Sequence, residues 1–150
     1  MNARTMMMMV GVLLPLIAGC QSNKVPADFS AVKESRWILA EIRTVAGGTV
    51  VLDRERNGEV FTLRFEEEMA FGTGAPNTFS GPYTRENDRL SFGPAVSTRM
   101  ASFTEPEELT EHEFFGYLAA TVSWDMEDGN LLLYTSGEGE VQTILMFAPL

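Results

Sequence analysis

Eight short runs of β-branched and aromatic residues, separated by glycine, asparagine and aspartate, constrain this chain more than any other feature. The runs fall near 37–43, 49–52, 59–65, 79–84, 89–92, 121–126, 131–135 and 141–147. Between them stand Gly47-Gly48, Asn57-Gly58, Asn87-Asp88, Asp128-Gly129 and Gly137-Glu138-Gly139, residues that tolerate the positive φ of tight turns. Strands spaced this closely predict an antiparallel sheet or half-barrel. Alternation is clearest at Phe61, Leu63 and Phe65, with Thr62 and Arg64 opposite them, which predicts one buried face and one wet face.

One segment departs from this pattern. From Thr104-Glu105-Pro106-Glu107 to about Ala120, the residues Leu109, Phe114, Phe115 and Leu118 recur at helical spacings. Thr104 is expected to cap the first turn and Glu107 to close a capping box, with the acidic start suiting the positive end of the macrodipole. The apolar stripe of this helix needs a partner, and the concave face of the sheet supplies one. The expected fold is a single α+β domain, mainly an antiparallel half-barrel or curved sheet packed on one helix. A length of 150 residues suits one core, and an apolar content of 45% with ten Phe and two Trp is enough to fill it.

Ahead of the domain, Arg4 precedes an apolar run without charge from Met6 to Gly19. A positive start, a short apolar stretch and small residues before a cut predict an export signal over residues 1–19. The run is shorter than the roughly 20 apolar residues that span a bilayer. Ile17-Ala18-Gly19-Cys20 resembles the bacterial lipobox. That resemblance implies cleavage between Gly19 and Cys20, a diacylglyceryl group on the Cys20 sulfur and acylation of the new amino terminus. The bilayer would then be a partner through Cys20, since acyl chains burying CH₂ groups at about 0.8 kcal/mol each anchor a protein durably. Gln21, where an Asp would retain the protein, resembles the sorting signal for the periplasmic face of the outer membrane. Gln21 to about Ser35 shows no sustained period and is expected to be a tether, so the expected folded domain is 36–150.

Composition removes several functions. The chain holds one cysteine and one histidine, too few for a Cys/His zinc site, a CxxC redox pair or an internal disulfide. Its formal charge is −10, and residues 1–19 contribute only Arg4. A surface this acidic lacks the basic footprint that nucleic-acid binding requires.

Three further blocks stand out: Trp37-Ile38-Leu39, then Gly72-Thr73-Gly74-Ala75-Pro76-Asn77-Thr78-Phe79-Ser80-Gly81-Pro82-Tyr83, then the segment 90–101 ending in Thr98-Arg99-Met100-Ala101. In order and spacing, and with Glu111 to Leu118 following, they resemble the META domain, the fold of HslJ-like bacterial lipoproteins, over roughly 37–147. The resemblance implies a β-rich half-barrel against one helix in cell-envelope proteins without established enzymatic activity, some associated with heat shock, drug tolerance or motility. It singles out Asn77, Ser80, Gly81, Tyr83, Thr98, Arg99, Met100 and Ala101. Where the family commonly has two cysteines this chain has Pro76 and Ser102, which takes away a paired role such as a disulfide.

Read for their own chemistry, the same residues ask for no ligand. Gly72, Gly74 and Gly81 allow bends or bulges, and Phe79 and Tyr83 share one face of a strand. The block lacks the Lys-Ser/Thr of a phosphate loop and does not complete GxGxxG. His112, between Glu111 and Glu113, is expected to face solvent; a hydrolase would need Ser97 or Ser102 to converge on it. Glu66-Glu67-Glu68 and Asp125 with Glu127-Asp128-Gly129-Asn130 lack EF-hand spacing and are expected to be a solvated strand end and a hairpin turn rather than Ca²⁺ ligands. Arg99 is expected to make a structural ion pair or hydrogen bond. No catalytic residue, metal or cofactor is expected. The leading expectation is a non-enzymatic, membrane-anchored envelope protein that binds a partner; the alternative is a small-molecule or peptide carrier using a groove between sheet and helix.

Overall fold

The computed structural model describes residues 28–100, 105–137 and 140–150. The expected signal, Gly19, Cys20 and most of the expected tether lie outside them, as do Ala101, Ser102 and Thr104.

Among the described residues, ten strands and three helices follow one another. A helix α1 (Phe29–Lys33) precedes β1 (Trp37–Thr44), β2 (Thr49–Val51) and a single-turn helix α2 (Arg54–Asn57). Then come β3 (Thr62–Glu66), β4 (Met69–Thr73), β5 (Thr78–Glu86), β6 (Arg89–Phe92) and the two-residue β7 (Val96–Ser97). Helix α3 (Glu111–Ala119) leads into β8 (Thr121–Glu127), β9 (Asn130–Gly137) and β10 (Glu140–Pro149).

Every pairing is antiparallel, in the order β10-β9-β8-β6-β5-β4-β3-β1, and β1 pairs back onto β10 from Trp37↔Pro149 to Thr44↔Thr143. The sheet is therefore a closed eight-stranded barrel and not the half-barrel the sequence predicts. Closure comes from β1 and β10, the two most distant strands in sequence, which no local pattern can pair. A barrel of eight strands is just wide enough for side chains to fill. Here they do: Trp37, Leu39, Phe61, Leu63, Phe65, Phe114, Leu131, Leu133, Leu145 and Phe147 are all buried in one cluster.

The expected tether ends earlier than Ser35. Asp28 caps α1 by accepting from the Ser30 N–H at 2.9 Å, and Phe29 and Val32, 4% and 0% exposed, enter the core. The Phe29 ring meets Phe65, Trp124 and Tyr83 at centroid distances of 5.2, 4.8 and 5.9 Å. At the other end of β3, Phe114 of α3 meets Phe61 and Phe79 at 5.0 and 6.0 Å. Two helices, rather than the one expected, thus pack at opposite ends of the same strands.

Helix α3 also starts later than expected. Its N-cap is Thr110, which completes a capping box with Glu113, while residues 105–110 are turn and coil. Asn57-Gly58 caps α2, with Gly58 at φ 69°, instead of turning a hairpin. Glu66 ends β3, exposed as expected, and Glu67-Glu68 form the turn into β4, with Glu67 at φ 36°.

Candidate functional site

The Gly-rich block folds into a loop between β4 and β5 whose N–H groups converge on one carboxylate. Glu111, the first residue of α3, accepts with Oε1 from the Ala75 and Asn77 N–H groups, both at 2.8 Å, and with Oε2 from Asn77 Nδ2 at 2.7 Å. The buried Asn77 side chain faces the other way with its oxygen: Oδ1 accepts from Thr98 Oγ1 at 2.8 Å and from the Met100 N–H at 2.7 Å, and Nδ2 also donates to the Met100 carbonyl at 3.2 Å. Thr98 in turn accepts from the Thr78 N–H at 3.2 Å. One amide and one carboxylate therefore tie together the Gly-rich loop, the segment after β7 and the start of α3. No buried side-chain polar atom lacks a partner among the described residues.

The glycines serve close approach more than bending. A Cβ on Gly74 would lie 2.4 Å from Glu111 Oε1, and one on Gly72 would lie 2.0 Å from the Thr62 carbonyl oxygen. Gly81 faces Ala95, whose Cα would be 3.0 Å from an added Cβ. Here the neighbour of β5 changes from β6, paired at Tyr83↔Phe92, to β7, paired at Phe79↔Ser97. Pro82 stands at this changeover, where a missing N–H costs no ladder bond.

The remaining singled-out residues separate. Tyr83 is buried and its hydroxyl donates to the Glu67 carbonyl. Ser80 lies on the outer face of β5 opposite Val96. Arg99 is exposed and makes no ion pair or hydrogen bond among the described residues, contrary to its expected structural role. His112 is exposed on α3, and no hydrogen bond joins it to Ser97 among the described residues. No group of three or more Asp, Glu, His or Cys able to hold a metal occurs among the described residues, and no helix there is long and apolar enough to cross a membrane. Sequence reasoning missed Glu111 as a ligand of the loop; the only signal was an acidic residue at the head of an apolar helix, which reads equally well as a dipole partner.

Two hollows flank β7. On the outer face, one of about 490 Å³ is lined by Arg36, Arg64, Phe71, Thr78, Ser80 and Thr98, among others. Its cations are already paired, Arg64 with Glu66 at 2.8 Å and Arg36 with Glu59 at 3.4 Å. The second, about 470 Å³, opens between the β6–β7 segment and α3 and is lined by Phe79, Phe92, Pro94, Ala95, Phe115 and Leu118, among others. Apolar walls of this size suit a ligand better than a charged one would.

The META domain family profile matches residues 30–146. An NMR structure of a protein from Burkholderia xenovorans is similar in fold, with a TM-score of 0.65 and 22% identity, covering 83% of this chain and 88% of that one. A crystal structure of a DUF4847 family protein from Bacteroides vulgatus superposes with a TM-score of 0.53 and 15% identity over 80% of this chain and 95% of that one. A search of curated protein sequences finds no match.

Proposed function

This chain belongs to the META domain family, and from that premise we propose that it is a non-enzymatic, lipid-anchored cell-envelope protein whose domain binds a partner rather than transforming one. The observation that carries the non-enzymatic part is the convergence of Asn77, Thr98 and Glu111 on one another. Side chains held this way are occupied as scaffold, and the singled-out motif is thereby explained without a substrate.

The anchor rests on the residues ahead of the domain. Arg4, the uncharged run to Gly19 and the cysteine at position 20 meet the requirements for export and thioether acylation. The described residues begin at Asp28, so an anchored Cys20 would hold the barrel within about 30 Å of the bilayer even at full extension of the chain between them. Intact-mass analysis of the membrane fraction, beside a Cys20→Ala control, tests this. Loss of residues 1–19 with gain of acyl chains, abolished in the control, is the expected result. A soluble, unacylated wild-type chain would overturn the anchor and leave a secreted or periplasmic binding domain.

A carrier role is the second reading, and the apolar crevice between the β6–β7 segment and α3 favours it. Fluorescence titration with N-phenylnaphthylamine is expected to show one saturable site, lost when Ala119→Trp fills the rim. No saturable binding would remove the carrier reading.

A further inference from the structure

We propose that the free edge of β7 is a strand-addition site for an extended peptide, whose alternate side chains enter the crevice between β7 and α3. This deepens the reading of the domain as a binding module and rests on it.

β7 stands outside the closed ring and, among the described residues, pairs only with β5. The Thr98 N–H donates to the Thr78 carbonyl at 3.1 Å, which makes Thr78 and Thr98 a hydrogen-bonded pair and Phe79 with Ser97 a non-bonded one. Alternation then points the N–H and C=O of Ser97 away from β5, and those of Arg99 likewise. Neither residue has a backbone partner on that side among the described residues. The segment is extended and exposed, Val96 at 75% and Met100 at 58%.

Beside this edge lies the apolar crevice of about 470 Å³, walled by Phe92, Phe115 and Leu118. The combination selects the occupant. Unpaired backbone donors and acceptors along a strand are satisfied by another extended backbone, as in β-augmentation, and an acyl chain offers none. Residues of the incoming strand would alternate between the crevice and solvent, so the peptide carries apolar side chains at every second position. The chain's formal charge of −10 favours a peptide with Lys or Arg at the solvent-facing positions.

The test pans displayed random dodecapeptides against the full-length chain in detergent, then titrates one selected peptide beside the same sequence N-methylated at alternate residues. Selected peptides are expected to show apolar residues at alternate positions, and N-methylation is expected to weaken binding about tenfold or more. Amide exchange at Ser97 and Arg99 should slow about tenfold or more in the complex, while Thr98, already bonded to β5, stays unchanged. A peptide that binds without protecting Ser97 and Arg99 overturns strand addition and leaves the binding module standing. If N-phenylnaphthylamine binds but no peptide is selected, strand addition fails and the carrier reading survives; if neither binds, both fail. A dimer with Ser97 and Arg99 protected in the absence of peptide assigns the edge to a second copy and overturns the proposal.

Discussion

Asn77 engages every hydrogen-bonding atom of its side chain, and the direction of each bond is fixed by its partner. Oδ1 must accept because the Met100 N–H can only donate, and Nδ2 must donate because Glu111 Oε2 and the Met100 carbonyl only accept. Glu111→Gln breaks this pattern. Its amide would set a second donor against Nδ2, and flipping Asn77 would set its Nδ2 against the Met100 N–H. The substitution is expected to destabilise the fold by about 1–3 kcal/mol in urea unfolding. Combined with Asn77→Ala, the two losses should couple by about 0.5–3 kcal/mol, and simple additivity would show that the pair does not act as one unit. The sequence marks Asn77 as a loop residue and Thr98 and Met100 as a motif. It gives no sign that Glu111, 34 positions along the chain from Asn77, closes the network.

At the scale of the element, α3 shows why a local signal can be legible and still misplace a boundary. Thr-x-x-Glu occurs at two places around the start of this helix, at Thr104 with Glu107 and at Thr110 with Glu113, and both satisfy the rule for a capping box. The structure uses the second, because starting at Glu111 delivers that carboxylate to the loop and turns Phe114 and Leu118 into the core. The box has a pH consequence. Backbone and hydroxyl hydrogen bonds from Thr110, with His112 nearby, hold the Glu113 carboxyl below its ordinary value. A carboxylate depressed in this way stabilises the fold above its ordinary range, and the contribution is lost as pH falls through the folded value. Glu113→Gln should therefore lower Tm at neutral pH and flatten the acid limb of the Tm profile; an unchanged slope would mean the box carries no linkage. Gly116 is the opposite case. It is exposed in mid-helix and a Cβ there meets nothing within 4 Å, so Gly116→Ala is expected to stabilise the protein by about 1 kcal/mol in thermal or urea unfolding. The ring strand missed by sequence reading, β4, is Met-Ala-Phe-Gly-Thr. It lacks the Val and Ile that mark strands, and its hairpin turn is Glu67-Glu68, residues without turn preference.

For the whole molecule the decisive facts are closure and the two helices at the ends. Phe29 packs among Phe65, Tyr83 and Trp124, and the Arg85 guanidinium lies 5.1 Å from its ring centroid. Phe29→Ala is expected to cost about 3–5 kcal/mol in urea unfolding, whereas a residue in a mere tether would cost almost nothing. Much of this architecture can be read from the residues alone. Seven of the eight ring strands, the hairpin at Asp128-Gly129 and the inward face of Phe61, Leu63 and Phe65 depend on a period of two and on the φ a residue tolerates, both properties of adjacent residues. The short segment 28–35 escaped because five helical residues carry too little periodicity to announce themselves. Closure of β1 on β10, the choice between two capping boxes, the plugging of one end by α1 and the meeting of Asn77 with Glu111 join residues far apart in the chain. Those contacts are selected by the volume of one shared core and by the need to partner every buried polar group, and only the tertiary structure sums these over the whole molecule.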